Sequence, residues 1–223
     1  MDLQEWKQKI ILEKLGIKQS VHGRIYTFID FGNLNYWFEK DRKDYDQITL
    51  VDDKKIFVDL EKLYDFTKAF SLQSRVYYGV NPKKRSSVAF IQAMRYFFGK
   101  RKIFSKPIQQ IRHYLEDNEV GGNTRSVNSD RNGEYVFIPK CNFDVEICVD
   151  AIRLASEYDT FCLFSSDADF IGLNNFLKKQ GKKIILIKGG FALTQLKKTA
   201  DKVINAQDIK QYITKIDYKK QKI

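Results

Sequence analysis

Thr160-Phe161-Cys162-Leu163-Phe164-Ser165-Ser166-Asp167-Ala168-Asp169-Phe170 is the stretch that decides the fold of this chain. Its apolar, aromatic first half reads as a buried strand over Thr160 to Ser165, and its polar second half as the turn leaving that strand. The same pattern occurs near the front, where a strand from Arg24 runs into Ile29-Asp30-Phe31-Gly32-Asn33. Side by side in a parallel sheet, two such strands end about 5 Å apart, and Asp30, Asp167 and Asp169 converge at the crevice where open α/β sheets bind ligands. Carboxylates that close repel by about 4 kcal/mol per pair at an effective dielectric near 20, so the cluster calls for a cation or a function.

Working outward, strand and helix alternate. A short helix follows from Leu34, then a polar loop over 41–55, a helix from Asp59 to Phe70 and a strand from Arg75 to Val80. Asn81-Pro82 breaks the chain before a helix from Ser86 to Phe98, and Lys102 to Ser105 reads as a third strand. Residues 107–139, with turn signals at Gly121-Gly122-Asn123 and Asn132-Gly133, read as an inserted β-ribbon or loop. Order resumes with a helix from Asp144 to Tyr158. Beyond the deciding stretch come a helix from Asp169 to Gln180, a strand from Lys183 to Ile187, a helix from Phe191 to Thr199, a short strand at Val203-Ile204 and a helix from Gln207. This alternation predicts an α/β fold, a mainly parallel sheet with helices on both faces. At the N-terminus, Leu3, Trp6 and Ile10, with Ile11 and Leu15 nearby, form one stripe of a helix that Gly16 stops; packing on the domain's side is its expected role, and an exposed Trp6 would favour a partner instead. The expected division is an appended helix over 1–22, the main domain over 23–206, and a C-terminal helix over 207–223 whose basic tail, with Lys219, Lys220 and Lys222, frays.

The 223 residues, 43% hydrophobic and 14% aromatic, suffice for one domain with a core of its own. A net charge of +11, spread over several clusters, favours a polyanionic partner. Three cysteines without CxxC spacing and only two histidines argue against structural zinc or a disulfide framework. No apolar stretch has membrane-spanning length, and the charged N-terminus is unlike a secretion signal, so the sequence reads as a soluble, cytoplasmic protein with no membrane partner.

Four stretches supply the acidic constellation: Asp30 with Asn33, Asp144 opening a helix, Asp150 within that helix, and Asp167 with Asp169. Scattered aspartates at strand ends suit hard cations such as Mg2+ and Mn2+, which take oxygen ligands and retain several waters. Each also has a plainer explanation. Asp30, Asp144 and Asp169 stand where helix caps are wanted, and Asp150 shares a helix side with Glu146 and Arg153, as a solvated face would. Asp167 is the one whose position no cap requires.

These residues carry a resemblance. Ile29-Asp30-Phe31-Gly32-Asn33-Leu34, the run from Lys140 through Asp144 to Asp150-Ala151, Ser165-Ser166-Asp167-Ala168-Asp169-Phe170, and Gly181-Lys182-Lys183-Ile184 stand in the order of the four motifs of the NYN/LabA-like branch of the PIN-like nucleases, which the chain resembles over residues 24–205. The resemblance implies a Rossmann-like PIN fold and Mg2+- or Mn2+-dependent ribonuclease chemistry, with Asp30, Asp144, Asp167 and Asp169 as acidic ligands and Asn33 as a polar partner. Ser166 stands where the pattern has glycine, and one extra residue separates Lys140 from Asp144.

In the mechanism this suggests, Asp30 and Asp167 are primary ligands, Asp144 and Asp169 act through water or orient the nucleophile, and Asn33 hydrogen-bonds a ligand or phosphate. Lys83, Lys84, Arg85, Arg95, Arg101, Arg112 and Lys140 are the candidates to hold a nucleic-acid strand, RNA by the resemblance, with Tyr77, Tyr78, Tyr96 and Tyr114 available to stack on bases. The alternative is a non-catalytic nucleic-acid-binding module with a vestigial metal site. Haloacid-dehalogenase chemistry lacks its second aspartate after the first strand, dinucleotide binding lacks GxGxxG, and a Ser or Cys nucleophile lacks a base, since His22 precedes the first strand and His113 lies in the irregular segment.

Overall fold

In a computed structural model the described residues are 3–38, 40–50, 54–115 and 127–218. The Gly121-Gly122-Asn123 turn signal and the lysines of the C-terminal tail lie outside them. The chain opens with α1 (Leu3–Leu15) and the single turn α2 (Gln19–His22), enters β1 (Ile25–Asp30) and turns at once into α3 (Phe31–Leu34). Next come β2 (Lys54–Val58), α4 (Leu60–Lys68), β3 (Gln73–Tyr77), α5 (Arg85–Phe98) and β4 (Ile103–Phe104). Then β5 (Gln109–Tyr114), β6 (Asn128–Asp130) and β7 (Gly133–Lys140) lead to α6 (Asp144–Arg153) and β8 (Thr160–Phe164). A 3-10 turn over Ala168–Phe170 starts α7 (Ile171–Lys179), followed by β9 (Lys183–Lys188), α8 (Thr194–Thr199), β10 (Lys202–Asn205), α9 (Ala206–Ile213) and β11 (Thr214–Tyr218).

Six strands form one parallel sheet in the order β10-β9-β8-β1-β3-β4. All five residues of β8 are buried, as expected of a central strand covered on both faces. Its side chains alternate: Cys162 and Phe164 join Ile29, Ile185 and Ile187 in one core beneath α1, α4, α5 and α9. Phe161 and Leu163 join Phe28, Ile184 and Leu186 in a second core beneath α6, α7 and α8. From the central β1 the chain first builds outward through β3 and β4, then returns to β8 on the other side of β1. The strand order therefore reverses between β1 and β8, and the register Ile29↔Phe164 sets Asp30 level with Ser165 there.

Two expectations change in the structure, and the inserted segment takes the β-ribbon alternative. Residues read as loop and as frayed tail instead pair as an antiparallel ribbon of β2 and β11, Ile56 opposite Ile216. The inserted segment is a three-stranded antiparallel arm, β5-β7-β6, rooted beside the ends of β3 and β4 through Val80 and Pro107. The helix expected to reach Tyr158 stops at Arg153, because Tyr158 is fully buried and its hydroxyl donates to the carbonyl of Ala151 at 2.7 Å. In α1 the buried side is Ile11 and Leu15, with Ile17 beyond Gly16, whereas Trp6 is 49% exposed. No described helix is long and apolar enough to cross a membrane.

Candidate metal centre at the switch point

The β1–β8 crevice is tied together by a chain of short polar contacts. Asp30 closes β1, and its Oδ1 accepts the backbone N–H of Asn33 at 3.1 Å, capping α3. Its Oδ2 accepts from the Ser165 hydroxyl at 3.3 Å, and Ser165 Oγ in turn accepts the N–H of Asp167 at 3.2 Å. Asp167 then caps the 3-10 turn, its Oδ1 accepting the N–H of Asp169 at 3.0 Å. Asp167 thus does have a local structural use, and the capping expected of Asp169 falls to it. Asp144 is likewise not a cap but the first helical residue of α6, its N–H held by Asn142 Oδ1 at 2.7 Å.

Among the described residues, Asp144, Asp167 and Asp169 each bring a carboxylate oxygen within 4.8 Å of the others. They come from two elements, the start of α6 and the turn after β8. Asp30 lies on their buried side. Burial pushes its carboxyl from 3.8 up to about 6; hydrogen bonds from Asn33 and Ser165 pull it down, and the charges of Asp144 and Asp167 push it up. Burial also raises Asp144, with Asp167 and Asp169 adding to the shift. Of the four acids expected to meet, three bring oxygens within 4.8 Å of one another, and Asp30 stands outside that group but feels the charge of Asp144 and Asp167.

A stability prediction follows from Asp30. Its folded pKa lies above its unfolded value, so its ionisation costs the native state nothing below pH 3.8 and about 3 kcal/mol once the pH has passed 6. With chelator present, Asp30→Asn should therefore be more stable than the parent by about 1–3 kcal/mol at pH 7.5, the gap closing near pH 4. Urea denaturation at both pH values measures this; a gap independent of pH would contradict it. Asparagine still accepts from Asn33, and its NH2 can donate to Ser165 Oγ in place of the bond Asp30 accepts from it.

Asn33 is fixed in orientation. Its Oδ1 accepts from the Trp37 indole N–H at 2.7 Å and from the N–H of Ser166 at 3.1 Å, which leaves its amide NH2 as the group available to a ligand. Trp37 stacks on Phe164 and packs so closely on Gly189 that a Cβ there would lie 2.2 Å from the ring. Ser166, the departure from the glycine of the pattern, donates to the carbonyl of Gly189 at 2.6 Å and accepts its N–H at 3.1 Å. The serine thereby clamps the loop after β9 to the turn after β8.

Asp150 is placed elsewhere. It faces inward rather than to solvent, with Oδ2 accepting from Arg75 and from the Tyr77 hydroxyl, each at 2.7 Å, and Oδ1 accepting from Arg153 at 2.8 Å. Oδ2 docks α6 onto β3 and Oδ1 is held by Arg153 of α6 itself, so both oxygens are occupied and none is left for a cation. The basic candidates also separate. Lys83 and Lys84 lie between β3 and α5 and Arg85 opens α5, at the same end of the sheet as the acids, and Lys140 ends the arm strand that leads to Asp144. Arg112 lies on the arm, paired with Asp130 and stacked on Tyr135. Arg95 and Arg101 lie at the opposite end of the sheet, beside the end of α5 and the start of β4. Of the tyrosines, Tyr77 is fully buried, Tyr78 packs edge-on against Phe31 and Phe90, Tyr96 is exposed at the far end of α5, and Tyr114 sits on the arm bonded to Asp130.

Fold and site together define a Rossmann-like, PIN-like α/β domain with an acidic cluster at the C-terminal end of its sheet. The chain belongs to the NYN domain family, whose model matches residues 24–213. It is 29% identical over 94 residues to the low amplitude and bright protein LabA of Synechococcus elongatus, an alignment covering 42% of this chain. The chain spans about half the length of this curated relative. Among solved structures, a protein of unknown function from Vibrio parahaemolyticus shares the fold, with a TM-score of 0.57 at 17% identity over 89% of this chain and all of that one.

Proposed function

We propose that this protein is a nuclease dependent on Mg2+ or Mn2+ that hydrolyses phosphodiester bonds in RNA. The observation that carries the reading is the gathering of Asp144, Asp167 and Asp169 within 4.8 Å, with Asp30 behind them, at the switch point of a PIN-like sheet. The donor set fits the cation: all oxygen, anionic, and without the histidine or thiolate that would favour softer metals. Oxygens bound directly to one Mg2+ are at most about 4 Å apart, so a group gathered within 4.8 Å needs at most a small side-chain adjustment or a bridging water to ligate it. When bound, the cation would neutralise charge on the phosphate and lower the pKa of an attacking water.

The chain's own groups divide the remaining work. Asp144, Asp167 and Asp169 hold the cation, a different emphasis from the Asp30–Asp167 pair expected of the sequence. Asp30 adds negative charge from the buried side and fixes Ser165, which sets the backbone of Asp167. Asn33, its carbonyl tied down by Trp37 and Ser166, offers its NH2 to a phosphate oxygen. Lys83, Lys84, Arg85 and Lys140 border the same end of the sheet and would hold the strand, with RNA favoured by family membership. The catalytic unit in this reading is residues 23–206; α9 packs on its core through Ile209 and Ile213, and the exposed Trp6 favours a partner for α1.

Incubating purified protein with labelled RNA and DNA in Mn2+, Mg2+ or chelator tests this. The expected result is RNA cleavage supported by either cation and stopped by chelator. Retention of RNA without turnover under every cation would replace the nuclease with the binding module.

A further inference from the structure

Asp144 reaches the cation site from the start of α6, and one lysine holds the residues on both sides of it. Lys106, between β4 and β5, places its ammonium 4.7 Å from the centre of the Phe143 ring and pairs with Glu146 Oε1 at 2.5 Å. Phe143 directly precedes Asp144, and Glu146 follows it by two residues. Phe143, the N-cap of α6, makes no side-chain hydrogen bond to the helix; its ring is buried against Tyr77, and the lysine lies over it. Lys106 is itself anchored at the root of the arm. Its carbonyl accepts the Val80 N–H at 2.9 Å, and the Val80 carbonyl accepts that of Ile108 at 2.9 Å. The strand returning from the arm is fixed beside it, since Cys141 lies so close to Gly79 that a Cβ there would stand 2.7 Å from the cysteine Cβ. Further along α6, Asp150 is held by Arg75 and Tyr77. The helix is therefore tied twice to β3 and the residues just after it, once directly and once through Lys106.

Resting on the cation-site reading above, we propose that Lys106 is a positioning residue for Asp144: by bracing Phe143 and Glu146 it keeps the Asp144 carboxylate where Asp167 and Asp169 meet it, so that the root of the arm is part of the framework of the cation site. The lysine has two opposed effects on a divalent cation. Its charge, one residue from an acidic cluster, repels the ion, whereas its bracing pre-organises a ligand. Losing the charge alone tightens binding and losing the brace loosens it, so the sign of the change tells the two apart. The pair is 40% and 41% exposed in its side chains, and breaking it costs the fold little, as for other surface ion pairs.

The test is Mn2+ titration of the full chain, with free Mn2+ followed by electron paramagnetic resonance, in the parent, in Lys106→Met, which keeps an apolar stem over Phe143 and loses the ammonium, and in Lys106→Arg, which keeps charge and reach. Lys106→Met should bind Mn2+ about tenfold more weakly than the parent, and Lys106→Arg should recover most of that loss. The melting temperature of both variants in chelator should stay within about 4 °C of the parent's, which separates positioning from stability. Tighter or unchanged Mn2+ binding in Lys106→Met would overturn the proposal, as would a loss of affinity that appears only with unfolding. Failure of the underlying reading shows separately. No saturable Mn2+ site in the parent removes the cation site and the brace with it, a parental site left unchanged in Lys106→Met removes the brace alone, and a tenfold loss of Mn2+ binding in a protein that cleaves no RNA removes the chemistry and leaves the brace.

Discussion

Asp167→Asn is expected to lower cation-dependent RNA cleavage about a thousandfold or more while the protein stays folded and still retains nucleic acid. The magnitude follows from what a bound cation contributes, several kcal/mol of charge stabilisation in the transition state, each 1.4 kcal/mol being about a factor of ten. The substitution separates chemistry from structure because the structural task of Asp167 is to accept the N–H of Asp169, and an asparagine oxygen accepts it equally well. The like-charge pressure on Asp144 and Asp30 also falls, so the variant should be no less stable than the parent. Cleavage at parental rates, measured against the chelator baseline, would remove Asp167 from the mechanism.

Asp150→Ala should do the reverse, destabilising the fold by about 3–5 kcal/mol, the range found when one partner of a buried ion pair is removed. Arg75 and Asp150 are 8% and 10% exposed in their side chains, and the arginine left behind lies over the Phe104 ring. The Tyr77 hydroxyl loses its acceptor as well. For a chain of this size the expected fall in melting temperature is about 10 °C. A change within about 1 kcal/mol, the usual worth of a surface pair, would show that the cluster is more solvated than its geometry indicates.

The contrast between Asp150 and Asp167 shows what the sequence made legible. Where an apolar run ends in a carboxylate, as Phe164 leads to Asp167 and Ile29 to Asp30, strand and site residue lie within a few positions of each other, and local pattern suffices. The buried partners of Asp150, Arg75 and Tyr77, stand 75 and 73 residues away on another element, whereas its neighbours at helical spacing, Glu146 and Arg153, read as a wet surface. Distance along the chain hid the β2–β11 ribbon in the same way. It also hid the fit of Trp37 on Gly189, because a Gly-Gly pair announces a turn but not which ring it makes room for. Tyr77 reads in the sequence as available for stacking and is buried, its hydroxyl turned to Asp150.

Mn2+ binding followed by electron paramagnetic resonance tests whether Asp144, Asp167 and Asp169 hold one cation, without any assumption about substrate. The parent protein should show one saturable Mn2+ site from which Mg2+ competes the ion, weakened at least about tenfold in Asp144→Asn and in Asp167→Asn. No saturable site in the parent, or the same affinity in both variants, would contradict it.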